Sequence, residues 1–320
     1  MSKKIVADVP EMTAAHREAI AAAAKARGYE AVFPGDRAEA VAASADAEII
    51  FGMRMSLPKA APQLRWLCVP SAGVDYCVAD DVYANPDAVL TNSSGAYGVT
   101  IAEHTVMVAL ELMRRQMEYT DIVDLRSWER QLPVHGIIGS RVTLLGTGDI
   151  GREVCARLRP FRPARIVGVN RSGRDPGGFD RVVPLSGLDA LLPETDLLVM
   201  SLPGTPETAG LMDERRLRSL PADAFIVNVG RGSAIDQKAL ERLMREGHLA
   251  GAALDVFVTE PLPPEDTLWS CPRLLITPHC AGNMTLPYTL DRIVAMFLED
   301  FENYCEGRPM KRLVDRKRGY

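Results

Sequence analysis

Three residues carry side chains suited to acid–base and anion chemistry, and each follows an apolar run that reads as a strand. Arg231 lies in Gly230-Arg231-Gly232, directly after Phe225-Ile226-Val227-Asn228-Val229. Glu260 follows Asp255-Val256-Phe257-Val258-Thr259 and precedes Pro261, and His279 stands between Ile276-Thr277-Pro278 and Cys280-Ala281-Gly282. Hydride reduction of a 2-oxo acid needs such a set. An imidazole donates a proton near neutral pH, and a guanidinium orients the substrate carboxylate and polarises its carbonyl. A carboxylate holds the imidazole and favours its protonated form. The spacing predicts that all three project from one edge of a sheet.

The hydride source is indicated by Gly146-Thr147-Gly148-Asp149-Ile150-Gly151, placed between the apolar strand Arg141–Leu145 and a helix running to about Leu158. In that setting the first glycine permits a tight turn and the second lets the backbone approach a pyrophosphate. The third lets helix and strand pack closely, and the helix N-terminus favours the anion. The next strand ends near Val169, where an NAD-selective site places a carboxylate on the adenosine ribose. This chain instead has Asn170-Arg171-Ser172-Gly173-Arg174. Arg171, Ser172 and Arg174 offer donors and positive charge to a 2′-phosphate, so NADP(H) is the favoured cofactor and NAD(H) the alternative.

Strand and helix alternate almost from end to end, which predicts an α/β fold with parallel sheets. Early strands are predicted at Ile5–Asp8, Glu48–Phe51 and Arg65–Val69, and a helix from Thr13 to Arg27 closed by Gly28. The turn-rich segment Ser71-Ala72-Gly73-Val74-Asp75 follows the third strand, at the kind of strand end where α/β proteins bind ligands. Arg54, in the loop Gly52-Met53-Arg54-Met55, is a candidate second ligand for a substrate carboxylate. A long apolar helix from Val99 to Arg115 contains His104, read as a packed or capped core histidine. Residues 120–139 read as a connecting loop. A doubly wound unit follows, and a helix from Leu286 to Glu306 leads into a basic tail (Lys311, Arg312, Arg316, Lys317, Arg318) expected to be solvated. His16, His135 and His248 are also expected to be solvated. Cys280 is read as a packing residue rather than a nucleophile, since no acyl-transfer motif accompanies it.

Length and composition bound the function classes. The 320 residues fit two domains of ordinary size, and 47% apolar with 25% charged residues is enough to bury a full core. A net charge of −5 argues against a nucleic-acid or anionic-membrane surface. No apolar run is long enough for a membrane span, and the N-terminus turns acidic at Asp8 before a signal-peptide core forms. The six cysteines show neither a CxxC pair nor metal-ligand spacing, so no metal is expected and the thiols read as reduced and cytoplasmic.

Taken together, the phosphate loop, Val229-Gly230-Arg231-Gly232, Ala253-Leu254-Asp255-Val256-Phe257 with Glu260-Pro261, and Thr277-Pro278-His279 resemble the D-isomer-specific 2-hydroxyacid dehydrogenase family. Ser71–Asp75 and Ala102-Glu103-His104-Thr105 extend the resemblance, which runs in order from about residue 45 to 305. It implies a Rossmann-type dinucleotide domain, residues 99–285, inserted into a smaller flavodoxin-like substrate domain made of residues 1–98 and 286–320. It further implies that His279 is the general acid in reduction and that Glu260 pairs with it. Arg231 would bind the substrate carboxylate and carbonyl, with the backbone amides near Ala72, Gly73 and Val74 also on the carboxylate. Asp255 would contact the nicotinamide carboxamide, and Leu202-Pro203-Gly204-Thr205, with Val229, would lie along the cofactor. The Asn170-Arg171-Ser172 segment resembles the NADP-preferring glyoxylate and hydroxypyruvate reductases of the family, and a homodimer is the family expectation. Cys280-Ala281-Gly282-Asn283-Met284 departs from the family pattern beside the substrate pocket.

The leading expectation is therefore an NADPH-dependent reductase of small 2-oxo acids. An NAD-dependent 2-hydroxyacid or phosphoglycerate-type dehydrogenase is the near alternative; the chain lacks the long C-terminal extension of many phosphoglycerate enzymes. Glu260, a glutamine in the related formate dehydrogenases, disfavours that branch. A dinucleotide-sensing corepressor is the alternative from outside enzymology.

Overall fold

A computed structural model describes residues 3–128 and 131–319. The chain divides into two compact units, one formed by residues 1–97 with 283–320 and the other by residues 98–282.

The first unit holds five parallel strands, β1 (Lys3–Asp8), β2 (Tyr29–Val32), β3 (Ile49–Gly52), β4 (Trp66–Cys68) and β5 (Val89–Thr91), ordered β2-β1-β3-β4-β5. This is the flavodoxin-like order, which reverses between β1 and β3. Helices α1 (Ala14–Ala26), α2 (Arg37–Ser44) and α3 (Ser56–Lys59) connect the strands, and the C-terminal helix Pro287–Cys305 packs on the same sheet. Phe297 of that helix stacks on Phe51 with ring centroids 4.2 Å apart and on Trp66 at 5.4 Å. The Trp66 indole N–H donates to Thr91 Oγ1 at 2.8 Å, satisfying the one polar atom of that fully buried ring.

Thr13, expected as the first helical residue, is instead the N-cap of α1, and His16 is not a solvated surface residue. Its Nδ1 accepts from the Thr13 N–H, completing a capping box, and its Nε2 lies 2.8 Å from Asp291 Oδ1. The basic tail is not a free end either. The Val314 amide donates to Leu90 O at 2.9 Å, Leu313 bridges Thr91, and Arg316 lies 4.1 Å over the Tyr83 ring while pairing with Asp80. Lys311 and Arg312 pull Glu299 down to about 2. The tail thus covers the open edge at β5, an edge that would otherwise present unpaired backbone groups.

The second unit begins with α4 (Gly98–Met113) and α5 (Gln116–Asp124). The second of these runs into the segment expected to be loop: Arg115, paired with Glu118 at 2.9 Å, turns the chain and a polar helix continues to Asp124. Within that expected loop, residues 129 and 130 lie outside the described residues. Then come β6 (Arg141–Leu145), α6 (Asp149–Leu158), β7 (Arg165–Asn170), β8 (Arg181–Pro184), α7 (Leu188–Leu191), β9 (Leu197–Met200), α8 (Glu214–Ser219), β10 (Phe225–Asn228), α9 (Gln237–Glu246), β11 (Gly251–Leu254) and β12 (Leu274–Ile276). The seven strands are all parallel, in the order β12-β11-β10-β9-β6-β7-β8. That is a doubly wound sheet whose order reverses between β6 and β9, so its crevice opens where the phosphate loop leaves β6. Both units are mixed α/β, as the alternating pattern predicts.

His248 is a further correction to the solvated reading, because its Nε2 is buried and has no hydrogen-bond partner among the described residues. His135 is exposed and meets the Phe225 ring edge-on at 5.3 Å.

Candidate active site

In the second unit, every candidate site residue lies at the carboxyl ends of the strands. Gly146–Gly151 follow β6, Asn170–Arg174 end and follow β7, and Leu202, Pro203 and Thr205 follow β9. Val229 and Arg231 follow β10, Asp255 and Glu260 follow β11, and His279 follows β12. Because β10, β11 and β12 are neighbours, the last three loops are adjacent.

The phosphate loop is built as the glycine spacing requires. A Cβ on Gly151 would lie 2.0 Å from Gly146 O, so only glycine lets α6 start against the turn. At Gly148 the same position meets nothing within 4 Å, and α6 has no side-chain cap. The second glycine and the uncapped N–H groups of α6 therefore present open space and positive potential, a cradle that fits a dinucleotide pyrophosphate. Asn170 is committed to the loop itself. Its Nδ2 donates to Thr147 Oγ1 and Arg174 O, both at 2.8 Å, and its Oδ1 accepts from the Ser172 and Gly173 amides. This folds the loop into a turn with Arg171, Ser172 and Arg174 exposed. Glu207, held below the usual carboxylate range by its own backbone amide and the Thr205 hydroxyl, also feels the Arg171 charge.

The His279 backbone adopts the left-handed conformation (φ 51°), which histidine tolerates better than most residues. Its Nδ1 lies 2.6 Å from Glu260 Oε2, while Glu260 Oε1 accepts the Phe257 N–H at 2.8 Å. The carboxylate is thus anchored from behind and fixes the imidazole in front. With hydrogen on Nδ1 facing the carboxylate, Nε2 is the nitrogen left to exchange a proton. The imidazole is half exposed. Arg231 reaches the same loops. A Cβ at Gly232 would lie 2.0 Å from Phe257 C, so the Arg231 turn packs directly on the segment leading to Glu260. Arg231 Nη1 donates to Gly230 O at 2.8 Å.

Asp255 is 3% exposed. Its Oδ1 accepts from Thr277 Oγ1 at 2.6 Å and the Cys280 N–H at 2.9 Å, and its Oδ2 accepts the Ala281 N–H at 3.1 Å. It therefore ties down the loop on both sides of His279 and keeps acceptor capacity on Oδ2. Burial pushes the Cys280 thiol up, away from the thiolate a nucleophile needs. Sequence reasoning assigned no role to Asn228 or Thr277. Asn228, fully buried, bonds Arg231 O and the Gly230 N–H and so shapes the arginine turn. A buried polar residue ending an apolar strand was the available signal.

In the first unit, the sheet order reverses between β1 and β3, and there Arg54 forms an ion pair with Asp8 at 3.2 Å. Burial raises the Asp8 carboxyl above its ordinary range, against the pull of Arg54. On the loop after β4, Asn92 donates to Ala72 O, Ser71 Oγ to Gly73 O and the Cys77 N–H to Val74 O. The carbonyls of residues 72–74 are taken, and among the described residues no hydrogen bond takes their amides. Consecutive free N–H groups of this kind form an anion-binding concavity.

A doubly wound sheet with an open phosphate cradle and an Arg, Glu and His set on three adjacent strand ends is the design of a dinucleotide-dependent oxidoreductase. Residues 106–281 match the family described as D-isomer specific 2-hydroxyacid dehydrogenase, NAD binding domain. A glyoxylate/hydroxypyruvate reductase A from Yersinia enterocolitica is 35% identical over 222 residues, 68% of each chain. A D-isomer specific 2-hydroxyacid dehydrogenase family protein from Aeromonas salmonicida superimposes with a TM-score of 0.86 at 31% identity, covering 98% of this chain and 99% of that one. An NADPH-dependent glyoxylate/hydroxypyruvate reductase from Sinorhizobium meliloti, in complex with NADP and sulfate, superimposes over the full length of both chains with a TM-score of 0.84 at 26% identity. The chain belongs to the D-isomer specific 2-hydroxyacid dehydrogenase family, whose members are NAD(P)-dependent oxidoreductases. No helix among the described residues is long and apolar enough to cross a membrane.

Proposed function

We propose that this chain reduces a small 2-oxo acid of the glyoxylate or hydroxypyruvate type to the D-2-hydroxy acid, with NADPH as reductant and His279 as proton donor. The observation that carries the reading is the 2.6 Å contact of His279 Nδ1 with Glu260, which leaves Nε2 for the substrate. The bound dinucleotide supplies the hydride. It would be held by Gly146–Gly151 at its pyrophosphate, by Leu202, Pro203, Thr205 and Val229 along its length, and by Asp255 at its carboxamide. His279 passes its Nε2 proton to the carbonyl oxygen, and Glu260 holds the imidazole in place through Nδ1. Arg231 polarises that carbonyl and pairs with the carboxylate. In the first unit, the amides of Ala72, Gly73 and Val74 would bind a substrate carboxylate, and Arg54 is a candidate second ligand of the same kind.

The test is consumption of NADPH, and separately NADH, with glyoxylate, hydroxypyruvate, pyruvate, phenylpyruvate and longer 2-oxo acids. Strong turnover with NADPH and one or two of the smaller acids supports the reading. No turnover with either cofactor, despite tight cofactor binding, would replace it with a dinucleotide-sensing role.

Two variants refine the assignment. Arg171→Ala removes a charge from the exposed ribose-side turn. The KM for NADPH should rise about tenfold to a hundredfold, the worth of a charge-assisted contact, while that for NADH barely moves. Equal losses for both cofactors would take Arg171 away from the 2′-phosphate. Glu260→Gln replaces the carboxylate that fixes the His279 imidazole through Nδ1 with an uncharged amide, a weaker acceptor for that nitrogen. Turnover of the 2-oxo acid should fall about tenfold to a hundredfold with NADPH affinity nearly unchanged, and a variant as fast as the parent would count against the pairing.

A homodimer and a cytoplasmic location belong to the same proposal. Supporting the first, the α4–α5 segment and the residues after it leave Met107, Val123, Leu125 and Trp128 exposed, with Trp128 97% exposed. Supporting the second, none of the six cysteines is in a disulfide.

A further inference from the structure

His104, on α4, faces the loop that carries His279. Its Nε2 is 3.3 Å from Thr277 Oγ1, and that hydroxyl is 2.6 Å from Asp255 Oδ1. Thr277 has a single hydroxyl proton. An ionised carboxylate only accepts, so the Thr277 proton is committed to Asp255 and its oxygen has only lone pairs to offer His104. The contact is a hydrogen bond only if Nε2 of His104 carries hydrogen. Both the imidazolium and one of the two neutral tautomers meet that condition. Burial pulls His104 below the ordinary histidine range, outweighing the opposing influence of Asp255 and Glu111, and so selects the neutral form.

The far end of this chain of bonds is the His279 loop. Asp255 accepts from the Cys280 and Ala281 amides with its side chain and from the His279 N–H with its carbonyl, the last at 2.9 Å. The carboxylate's rotation about its last side-chain bond decides where those amides sit. Thr277 sets that rotation, and the donor from His104 sets which way the Thr277 hydroxyl points.

We propose that His104 is a positioning residue: its neutral Nε2–H tautomer, acting through Thr277 and the Asp255 carboxylate, holds the loop that aims His279. The inference rests on His279 being the proton donor. A helix-borne histidine 173 residues away in sequence would then set the geometry of the acid, without touching substrate or cofactor itself.

Two measurements test this. The first is a long-range proton–nitrogen correlation spectrum of the full chain labelled at its histidines, recorded near neutral pH with and without NADPH. His104 is assigned by the signal that disappears in His104→Gln. The neutral Nε2–H pattern is expected, and an Nδ1–H tautomer or an imidazolium would overturn the proposal. The second compares His104→Leu with His104→Gln, whose amide can place a donor where Nε2 was. Misplacing an acid by a fraction of an ångström should lower kcat roughly tenfold to a hundredfold in the Leu variant, with the KM for the 2-oxo acid nearly unchanged. The Gln variant should recover most of that loss. A Leu variant as fast as the parent, or a Gln variant as slow as the Leu one, would overturn it. Should the Leu variant not fold, Thr277→Val breaks the same relay at its middle and should show the same fall in kcat. Should the parent chain reduce no 2-oxo acid at all, the tautomer spectrum still decides the hydrogen bond, so the two failures are distinguishable.

Discussion

His279→Gln should lower turnover of the preferred 2-oxo acid by about two to four orders of magnitude, the usual worth of a positioned acid or base. Glutamine keeps a polar tip but cannot deliver a proton to the forming alkoxide. NADPH affinity should be nearly unchanged, because the phosphate cradle and the ribose-side turn follow β6 and β7 rather than β12. The left-handed backbone at position 279 raises a separate concern, since glutamine fits it less well than histidine. His279→Asn settles this, because asparagine tolerates that conformation and still has no titrating group. Both variants should fail alike. An Asn variant within about tenfold of the parent would mean that His279 contributes less than a general acid does.

The second large effect is expected at Arg231. Arg231→Gln should lower kcat/KM by about two to three orders of magnitude, since it removes a charged donor from the oxygen on which negative charge develops. Arg231→Lys keeps the charge but loses the planar fork that grips a carboxylate at two points, so it should recover only part of the loss. The turn that presents the guanidinium is preset by Asn228, with its bonds to Arg231 O and the Gly230 N–H at 3.0 and 3.1 Å, and the Gln variant should therefore retain its fold. If Arg231→Lys matches the parent, bidentate binding is not part of the mechanism. If Arg231→Gln matches it, the substrate is held by other groups.

The placement of the candidate residues was legible because they lie in short segments whose context is local. The phosphate loop is one such segment, and the strand–glycine–helix order around it was enough to read it. Arg231, Glu260 and His279 each sit just beyond an apolar run, so their common edge followed from the parallel sheet alone. The strands that were not read, β2, β5 and β8, are all sheet edges. Edge strands are buried on fewer sides, so Tyr29–Val32, Val89–Thr91 and Arg181–Pro184 lack the continuous apolar run that marks a central strand. Helix α5 escaped for a related reason: none of its residues is buried, so it carries no apolar stripe.

By itself the sequence determined the α/β class, the phosphate cradle, and which residues stand ready for acid–base and anion chemistry. These depend on periodicity and on neighbours within a few positions, and both are present in the unfolded chain. Only the tertiary structure decided the long-range pairings: His16 with Asp291, the basic tail with β5 and Tyr83, and His104 with Thr277. Each joins groups far apart along the chain, and a hydrogen bond is made only when packing brings its two atoms to about 3 Å. The backbone course and the core fix that distance. No local pattern of residues encodes it.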